Sequence, residues 1–528
     1  MTISEEERTD DLGEGETAVA QAVPSAVRDV SARALRDVVV DLAFRPAGST
    51  RILLDDFQSE PSWAVALKLW FGDHAILRAP CRRDRLLHAL DRDIAWLDAL
   101  LTEQVNEILH HPRFQKMEAS WRGVQYLVHQ SEGGENIKIR ILNLSWPEIC
   151  KDLERAIEFD QSQLFTKIYS EEFGMPGGEP FGVLIGDYEI RHRRTREHTS
   201  DDLAALQGIS GVAAAAFSPF IVGCSPSFLG IDTFADLGVP IDLRAILRQP
   251  EYTRWRSFQD TEDARFIAIT LPHVLMRLPH RDDGSRIDGF RFREEVENPQ
   301  RPAYLWGNAV YAFAALLIRA FSQSAWFAEI RGTPQDFVGG GIVDSLPIEW
   351  FATDQRGIAI RYSTEVSISE FQERDLSEIG LMPLCKVKNT EYSAFYSNQS
   401  AQVPKTYTTL VASVNARLSA MIQYVMCVSR FAHFIKVIGR DRIGSFATPE
   451  ECEVFLQRWL REYCIANESP SPELRARYPL RDGRVKVHEL PGKPGVFSCT
   501  VHLQPHFQFD DVVSAFKLVT ELAPSVPA

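Results

Sequence analysis

Residues 108–128 read ILHHPRFQKMEASWRGVQYLV, and the pattern of this stretch decides what kind of chain it belongs to. Pro112 separates two apolar stripes. Leu97, Leu101, Val105 and Ile108 precede it, and Phe114, Met117, Trp121, Val124, Leu127 and Val128 follow it, each set at the three-or-four spacing of one helix face. A proline cannot supply the main-chain donor that a helix interior needs, so the spacing predicts two amphipathic helices joined at a break. Upstream, the stripe extends back through Leu87, Leu90 and Ile94 towards Asp84, giving a long helix whose apolar face needs a partner. Nothing here suggests catalysis. His110 and His111 are adjacent and point to different faces, so they cannot share a metal as residues four apart can, and they read as a helix end. The stretch points to assembly, not chemistry.

Bulk properties agree with that direction. The chain has 528 residues, 45% of them hydrophobic, which is enough for about three domains. A formal charge of -15 at pH 7 sets up a field that repels phosphate, so nucleic acid and anionic membrane surfaces are disfavoured and basic partners are favoured. The eight cysteines (81, 150, 224, 385, 427, 452, 464 and 499) show no CxxC spacing, so neither a zinc knuckle nor a disulfide framework is expected. The start, MTISEEERTDDLGEGE, is acidic where a signal peptide is basic and then apolar, so a cytoplasmic protein is expected. Two apolar stretches, Gly208 to Ile231 and Ala309 to Ile318, could be mistaken for membrane spans. The first holds Pro219, Pro226 and several glycines and reads as a buried helix, strand and loop; the second is too short to cross about 30 Å of hydrocarbon and reads as a core helix.

The organisation expected along the chain has four parts. Residues 1–30 are acidic, poor in large apolar groups and expected to be disordered. Residues 31–84 form an extended arm with short strand-forming clusters, among them Val38, Val39 and Val40, too small to make a sheet alone. Residues 85–395 read as an α/β domain with a mixed sheet flanked by helices. Within it Ile137, Ile139 and Ile141 alternate as in a half-buried strand, while Phe181 to Ile185, Phe220 to Val222 and Phe266 to Leu271 look like buried strands. Thr199 and Ser200, followed by Asp201 and Asp202, mark a helix start. Residues 396–528 read as an α+β domain. After the loop NTEYSAFYSNQSAQVPKTY, a helical stripe runs from Val411 towards Ile438, a helix capped by Thr448 follows, and Val485 to Leu503 form a β-hairpin whose turn holds Pro491, Gly492, Pro494 and Gly495. The segment FKLVTEL could be a strand or a last helical turn.

Several motifs imitate catalytic ones. There is no GxxxxGK[ST], and Gly339 to Gly341 lack the spacing and the helix start needed to hold a pyrophosphate, so they read as a flexible or tightly packed loop. His488 and Glu489 begin like HExxH but run into Pro491 and Gly492. Ser225 follows a buried strand without the GxSxG of a nucleophile elbow. The cluster Arg191, Arg193, Arg194 and Arg196 sits beside Glu197, Asp201 and Asp202 and reads as an ion-paired or interfacial patch.

Taken together, the chain resembles the TssC (VipB) family, the large subunits of the contractile sheath of bacterial type VI secretion systems. The residues that carry the resemblance are ILHHPRFQKMEASWRG, FGVLIGDYEI (181–190), PFIVGCSPSFLGI (219–231), TLPHVLMRLPH (270–280), YLWGNAVYAFAALLIRAF (304–321), EIGLMPLCKVKNTEYSAFY (378–396), SRFAHFIKVIGRDRIGSF (429–446) and LPGKPGVFSCTVHLQPHFQ (490–508). The resemblance runs from about residue 85 to the end. It implies a phage-tail-sheath-like fold, no reaction and no cofactor, and a heterodimer with the small subunit TssB. Copies of that heterodimer stack as a helical sheath on a baseplate around the Hcp tube and contract to propel it; the ClpV ATPase then takes the contracted sheath apart, mainly through the small subunit. It also implies that a neighbour's N-terminal strand and the small subunit's C-terminal strand join the C-terminal sheet, here around Val485, Val487, Phe497, Cys499 and Val501; the strand-forming cluster Val38, Val39 and Val40 of the arm is the candidate for the first of these. This linkage agrees with the independent reading of an arm and a hairpin suited to head-to-tail strand addition. Contact with the tube is expected to be polar, with Glu450, Glu451 and Glu453 either as the facing groups or simply compensating the dipole at the start of their helix. The alternatives are a sheath protein of another phage-tail-like device, or an α/β hydrolase using Ser225 or the Gly339 loop.

Overall fold

The computed structural model describes residues 57–71, 83–132, 134, 136–175, 177–284, 289–296, 303–333, 339–352, 359–441, 448–465, 467, 471–489, 497–506 and 516–522. The acidic start, Val38 to Val40 and the turn from Pro491 to Gly495 lie outside them. Two compact units are present: Met1–Leu109 with His280–Glu295, and His110–Pro279 with Val296–Ala528.

In the first unit, α1 (Trp63–Phe71) and α2 (Arg83–Leu109) share a small core of Trp70, Phe71 and Ala89, with Leu67, Leu90 and Leu97 packed around it. Asp93, a carboxylate drawn into this core, accepts a hydrogen bond from Trp70 Nε1 at 3.1 Å, which offsets its desolvation. The returning segment is tied to α2 by the Glu295 N–H, which donates to Asn106 Oδ1 at 3.3 Å.

The second unit opens with α3 (Pro112–Ser131). Its cap is local: His111 Nδ1 accepts from the Arg113 N–H at 3.3 Å and Pro112 fills the first turn, where a missing donor costs nothing. The expected break between two helices is therefore present. The six-stranded sheet that follows contains β1 (Leu184–Ile190), β2 (Phe220–Cys224), β3 (Ile267–Leu271), β4 (Ile342–Val343), β5 (Met382–Lys386) and β6 (Ser393–Phe395). Its order is β1-β2-β3-β5-β6-β4; the first four strands are parallel and the last two join antiparallel, so the sheet is mixed, as expected. Strand alternation sends Phe220, Val222, Ile267 and Ile269 to one core and Ile221 and Ala268 to the other. The first core is closed by α4 (Asp202–Ala216) through Leu203, Leu206 and Ile209, the second by α5 (Val310–Ser324) through Phe313, Leu316 and Leu317. Both stretches that imitate membrane spans are thus core elements, and among the described residues no helix is long and apolar enough to cross a membrane.

The C-terminal part holds α6 (Ile422–Asp441), α7 (Pro449–Arg461), β7 (Leu480–Glu489), β8 (Phe497–Pro505) and β9 (Phe516–Leu522). The predicted helical stripe from Val411 is split: Leu410–Ser419 is a separate helix before α6. The alternatives for FKLVTEL resolve to a strand, β9, in the antiparallel order β7-β8-β9. Phe431 and Ile435 of α6 and Cys452, Leu456 and Leu460 of α7 pack on Val485, Val487, Cys499, Val501 and Leu503, the inward-facing set of β7 and β8. Trp326 stacks on Phe431, ring centroids 4.5 Å apart, and brings the segment after α5 into the same core.

Three sequence expectations are corrected. Ile137, Ile139 and Ile141 belong to no strand: residues 137–145 run irregularly, with Ile139, Ile141 and Leu142 exposed, so apolar alternation there does not mark a pairing partner within the chain. The polar loop after Asn389 contains β6, whose Ser393, Ala394 and Phe395 are all buried. Third, α3 buries only part of its apolar stripe, Leu127 with Val124 packed beside it, and adds a small-residue face. Ala119, Gly123 and Leu127 point inward, while Met117, Trp121 and Val128 face outward, Trp121 at 66% exposure. Gly123 is the reason: any Cβ there would overlap the Tyr311 ring, so the small-residue face admits α5 at close range and wins the core.

Candidate functional site

An exposed apolar seam lies on α2. Leu87, Ile94, Leu101 and Ile108 recur every seven residues and are exposed by 45, 55, 46 and 59%. A seven-residue repeat keeps one seam of a helix on one side over its whole length, the requirement for wrapping with another helix. Beside the seam, Trp63, Leu67 and Trp70 of α1 and Leu90, Ile94 and Leu97 of α2 line an apolar groove of about 490 Å³. Charge is divided along the helix: Arg83, Arg85 and Arg92 lie in its first half, whereas Asp98, Glu103 and Glu107 lie in its second with no Lys or Arg after Arg92.

The second surface is the rim of the C-terminal sheet. Thr448 Oγ1 caps α7 by accepting from the Glu451 N–H at 3.3 Å, and Glu450 and Glu451 sit in the first turn where the helix dipole favours them. Four residues apart on the same helix, Glu453 and Gln457 turn to β7. Gln457 Nε2 donates to Gly483 O at 2.8 Å, Gln457 Oε1 accepts from the Val485 N–H at 2.9 Å, and Glu453 Oε2 accepts from the Val487 N–H at 3.0 Å.

The groups that imitate catalytic ones have other occupations. Ser225 Oγ is 3.0 Å from Ser227 Oγ, and Ser225 is buried. His198, Asp202 and Ser200 come together, but Asp202 and Ser200 both meet the same ring nitrogen, Nε2, so no proton could pass through the ring from one to the other. Asp202 also accepts from Trp146 Nε1 at 2.7 Å and from the Arg191 N–H at 2.9 Å, which makes the cluster a brace at the start of α4. Gly341, at the end of the glycine run, is tightly packed: a Cβ there would overlap the Phe395 carbonyl oxygen. His488 and Glu489 lie exposed on β7 instead of on a helix. Arg193 pairs with Glu251 at 2.9 Å and Arg194 with Asp201 at 3.3 Å, in line with an ion-paired patch.

One charged cluster is structural in a stronger sense. His273 Nδ1 meets Glu365 Oε2 at 2.7 Å and its Nε2 meets Glu189 Oε1 at 3.1 Å, clipping the end of β3 to β1 and to the segment around Glu365. Burial alone would lower the imidazole pKa, but hydrogen bonds and charge from the two carboxylates outweigh it and hold the ring at about 10. A pKa raised on folding stabilises the fold fully below the unfolded value of about 6.5 and loses that contribution as pH rises through about 10. His273→Gln should therefore cost about 2–3 kcal/mol near neutral pH, by leaving two carboxylates uncompensated, with Glu189 partly screened by water. In thermal melts of both proteins the gap in midpoint should be widest below pH 6.5 and should close towards pH 10; a gap independent of pH would refute the clip.

Comparison with known proteins decides among the readings. The profile described as "EvpB/VC_A0108, tail sheath N-terminal domain" matches residues 91–402, and "EvpB/VC_A0108, tail sheath gpW/gp25-like domain" matches residues 411–522. The chain belongs to the VipB family of tail-sheath proteins. It is 38% identical over 454 residues to the type VI secretion system sheath protein TssC1 of Pseudomonas aeruginosa, an alignment covering 85% of this chain and 89% of that protein. The function class is therefore structural, a large subunit of a type VI secretion sheath, and the resemblance read from the sequence motifs holds over the same span.

Within this VipB-family chain the residues expected to link subunits fall in three places. Val38, Val39 and Val40 lie outside the described residues. Val485 and Val487 are on β7 with buried side chains, and Cys499 and Val501 are on β8, equally buried, with Phe497 at its start. Since β8 is the middle strand, its main chain is paired on both sides, with β7 and with β9. Of the acidic residues expected to face the tube, Glu450 and Glu451 are exposed, whereas Glu453 spends a carboxylate oxygen on the sheet. Sequence reasoning missed Gln457; its i, i+4 spacing from Glu453 was visible, but nothing in the sequence shows which strand lies beside that helix face.

Proposed function

We propose that this large sheath subunit is completed by a small subunit of the TssB kind, whose amphipathic helix lies along the α2 seam and in the groove beside it. The observation that carries this is the run of four half-exposed aliphatic residues at seven-residue spacing, a surface no isolated soluble protein gains from displaying. The acidic second half of the seam supports a partner helix with basic groups beside it. Further copies of the heterodimer stack head to tail, linked by arm strands added to the C-terminal sheet, and the exposed Trp121 face of α3 offers a second contact. Residues 396–528 act as the linking domain and residues 85–395 as the body. Glu450 and Glu451 face basic groups on the Hcp tube, a contact kept polar so that the sheath can release it. Baseplate components set where the stack begins, and ClpV engages the contracted state chiefly through the small subunit. The chain works in the cytoplasm and performs no chemistry of its own.

Co-expression with a small sheath subunit, followed by purification and negative-stain imaging, tests the reading. Hollow tubules are expected from the pair and none from this chain alone. A stable solitary monomer that ignores every small sheath subunit would end the proposal.

A further inference from the structure

Two arginines drawn below the surface of this chain each meet a carboxylate: Arg277 Nε lies 2.7 Å from Glu118 Oε1, and Arg319 Nη1 lies 3.2 Å from Asp344 Oδ1. Arg430, on α6, does not. Among the described residues it has no ion pair and no hydrogen-bond partner, and its Nε is sealed from water without an acceptor. Burial alone acts on the group, pulling its pKa below the usual guanidinium range with no carboxylate near enough to oppose the shift. A guanidinium stays charged even so, and a charge that has lost water without gaining a counter-ion is an unfinished interaction.

The side chain is nonetheless held in place. Its guanidinium carbon lies 4.6 Å from the ring centroid of Phe434, one turn along the same helix, and 5.4 Å from that of Phe321 on α5. Two rings against one planar cation restrict how it can turn. Because Arg430 is half-buried and only its Nε is sealed, the two Nη nitrogens reach the surface. They form a fork of the kind that takes one carboxylate through two parallel hydrogen bonds.

The neighbouring basic groups on α6 are already engaged. Burial holds the His433 imidazole down to about 4, and the charges of Arg430 and Lys436 push the same way, so the ring is neutral at neutral pH. Its proton sits on Nε2, which donates to Ala216 O at 2.9 Å, and Nδ1 has none to offer. Lys436 is enclosed: its Nζ lies 4.9 Å from the ring centroid of Phe217 and 5.0 Å from those of Tyr169 and Phe173, and it donates to Tyr169 Oη at 3.4 Å. This stretch of α6 is therefore locally positive on a chain of net charge -15, with the Arg430 fork as its open donor.

We propose that Arg430 is a socket for one carboxylate, supplied by an aspartate or glutamate of an adjoining subunit in the assembled sheath. The field of the whole chain repels polyanions such as nucleic acid, whereas a single carboxylate carried in on a docking protein face meets the fork at short range. Two parallel hydrogen bonds on a fixed plane accept one direction of approach, so the pair sets the register between subunits. The socket presupposes the sheath assembly proposed above, and the experiment tells the two apart.

The full-length chain co-purified with its small subunit should be treated with p-hydroxyphenylglyoxal, a reagent for unpaired guanidinium groups, before and after assembly into tubules, with modification at Arg430 read by peptide mass spectrometry. If a neighbouring heterodimer supplies the carboxylate, Arg430 should react freely before assembly and about tenfold or more slowly in tubules; if the small subunit supplies it, the reaction should be slow in both. Fast reaction in both states overturns the socket and leaves the sheath reading standing. Arg430→Lys then identifies the partner group: in tubules of this variant a carbodiimide should couple the new amine to an aspartate or glutamate of another chain, and the linked peptides name that chain. Coupling only within its own chain, or no coupling at all, refutes the socket. Arg430→Met, which keeps an apolar stem against both rings, should keep the thermal midpoint and raise the protein concentration needed for tubules about tenfold. An unchanged threshold would also refute it. Should the parent pair form no tubules, the sheath reading falls and the socket with it.

Discussion

Replacing Ile94 and Leu101 together by aspartate should leave this subunit folded and abolish its pairing with the small subunit. Both side chains are about half exposed, so a carboxylate at either position stays hydrated in the isolated chain and its thermal midpoint should move little. Inside a helix–helix seam the same carboxylates would be desolvated without a partner. Each such burial costs at least about 2 kcal/mol, so two weaken the complex by roughly a thousandfold or more. Affinity capture through a tagged small subunit, with circular dichroism as the folding control, reads the effect directly. The substitutions at Leu90 and Leu97 make the contrast, because those residues face the core shared with α1 and their replacement should unfold the first unit. Charge reversal on the flank, Glu103→Lys with Glu107→Lys, should weaken pairing more modestly and mainly at low salt, as expected of exposed charges steering a basic helix. Undiminished capture of the Ile94→Asp, Leu101→Asp variant would show that the seam faces something other than the small subunit.

Removing residues 1–50 should have the second large effect: soluble heterodimers, and no long tubules. This cut deletes Val38 to Val40 but spares Phe57, whose ring lies 5.6 Å from Trp70 and belongs to the core of the first unit. Main-chain hydrogen bonds contributed by an added strand depend little on side-chain identity, so scattered substitutions in the arm should matter far less than its loss. Short stacks held by the wider faces alone should fall apart on dilution. Normal tubules in negative-stain images of the truncated protein would show that copies are joined without their arms.

How much of this was legible in advance depends on which physical effect each residue expresses. Caps and breakers act within a few residues, and there the sequence reading was sound: Pro112 separates two helices, Asp201 accepts from the Ala204 N–H at 3.2 Å to start α4, and Thr448 starts α7. Buried parallel strands announce themselves by unbroken apolar runs, and Phe220–Cys224 and Ile267–Leu271 lie where such runs placed them. Misreadings occurred where hydrophobic periodicity is not matched by burial within this chain. The alternation at Ile137, Ile139 and Ile141 and the stripe through Met117, Trp121 and Val128 are genuine, yet neither is buried in this chain, because a pattern records that a face is covered and not by what.

By itself, then, the sequence determined the kind of object this is: a mixed α/β chain with paired strands near its C-terminal end, and a family signature specific enough to place it among contractile sheaths. These follow from local rules and from motifs that survive without knowledge of neighbours. The tertiary structure alone decided which faces are left over. That Gly123 admits Tyr311 and so turns Trp121 outward, that His273 is clipped between Glu189 and Glu365, and that Glu453 and Gln457 of α7 bond to the main chain of β7 are facts about residues far apart in the chain. Contacts of that range depend on how the elements pack, and packing is settled by shape and burial summed over the whole fold, which no short window of sequence contains.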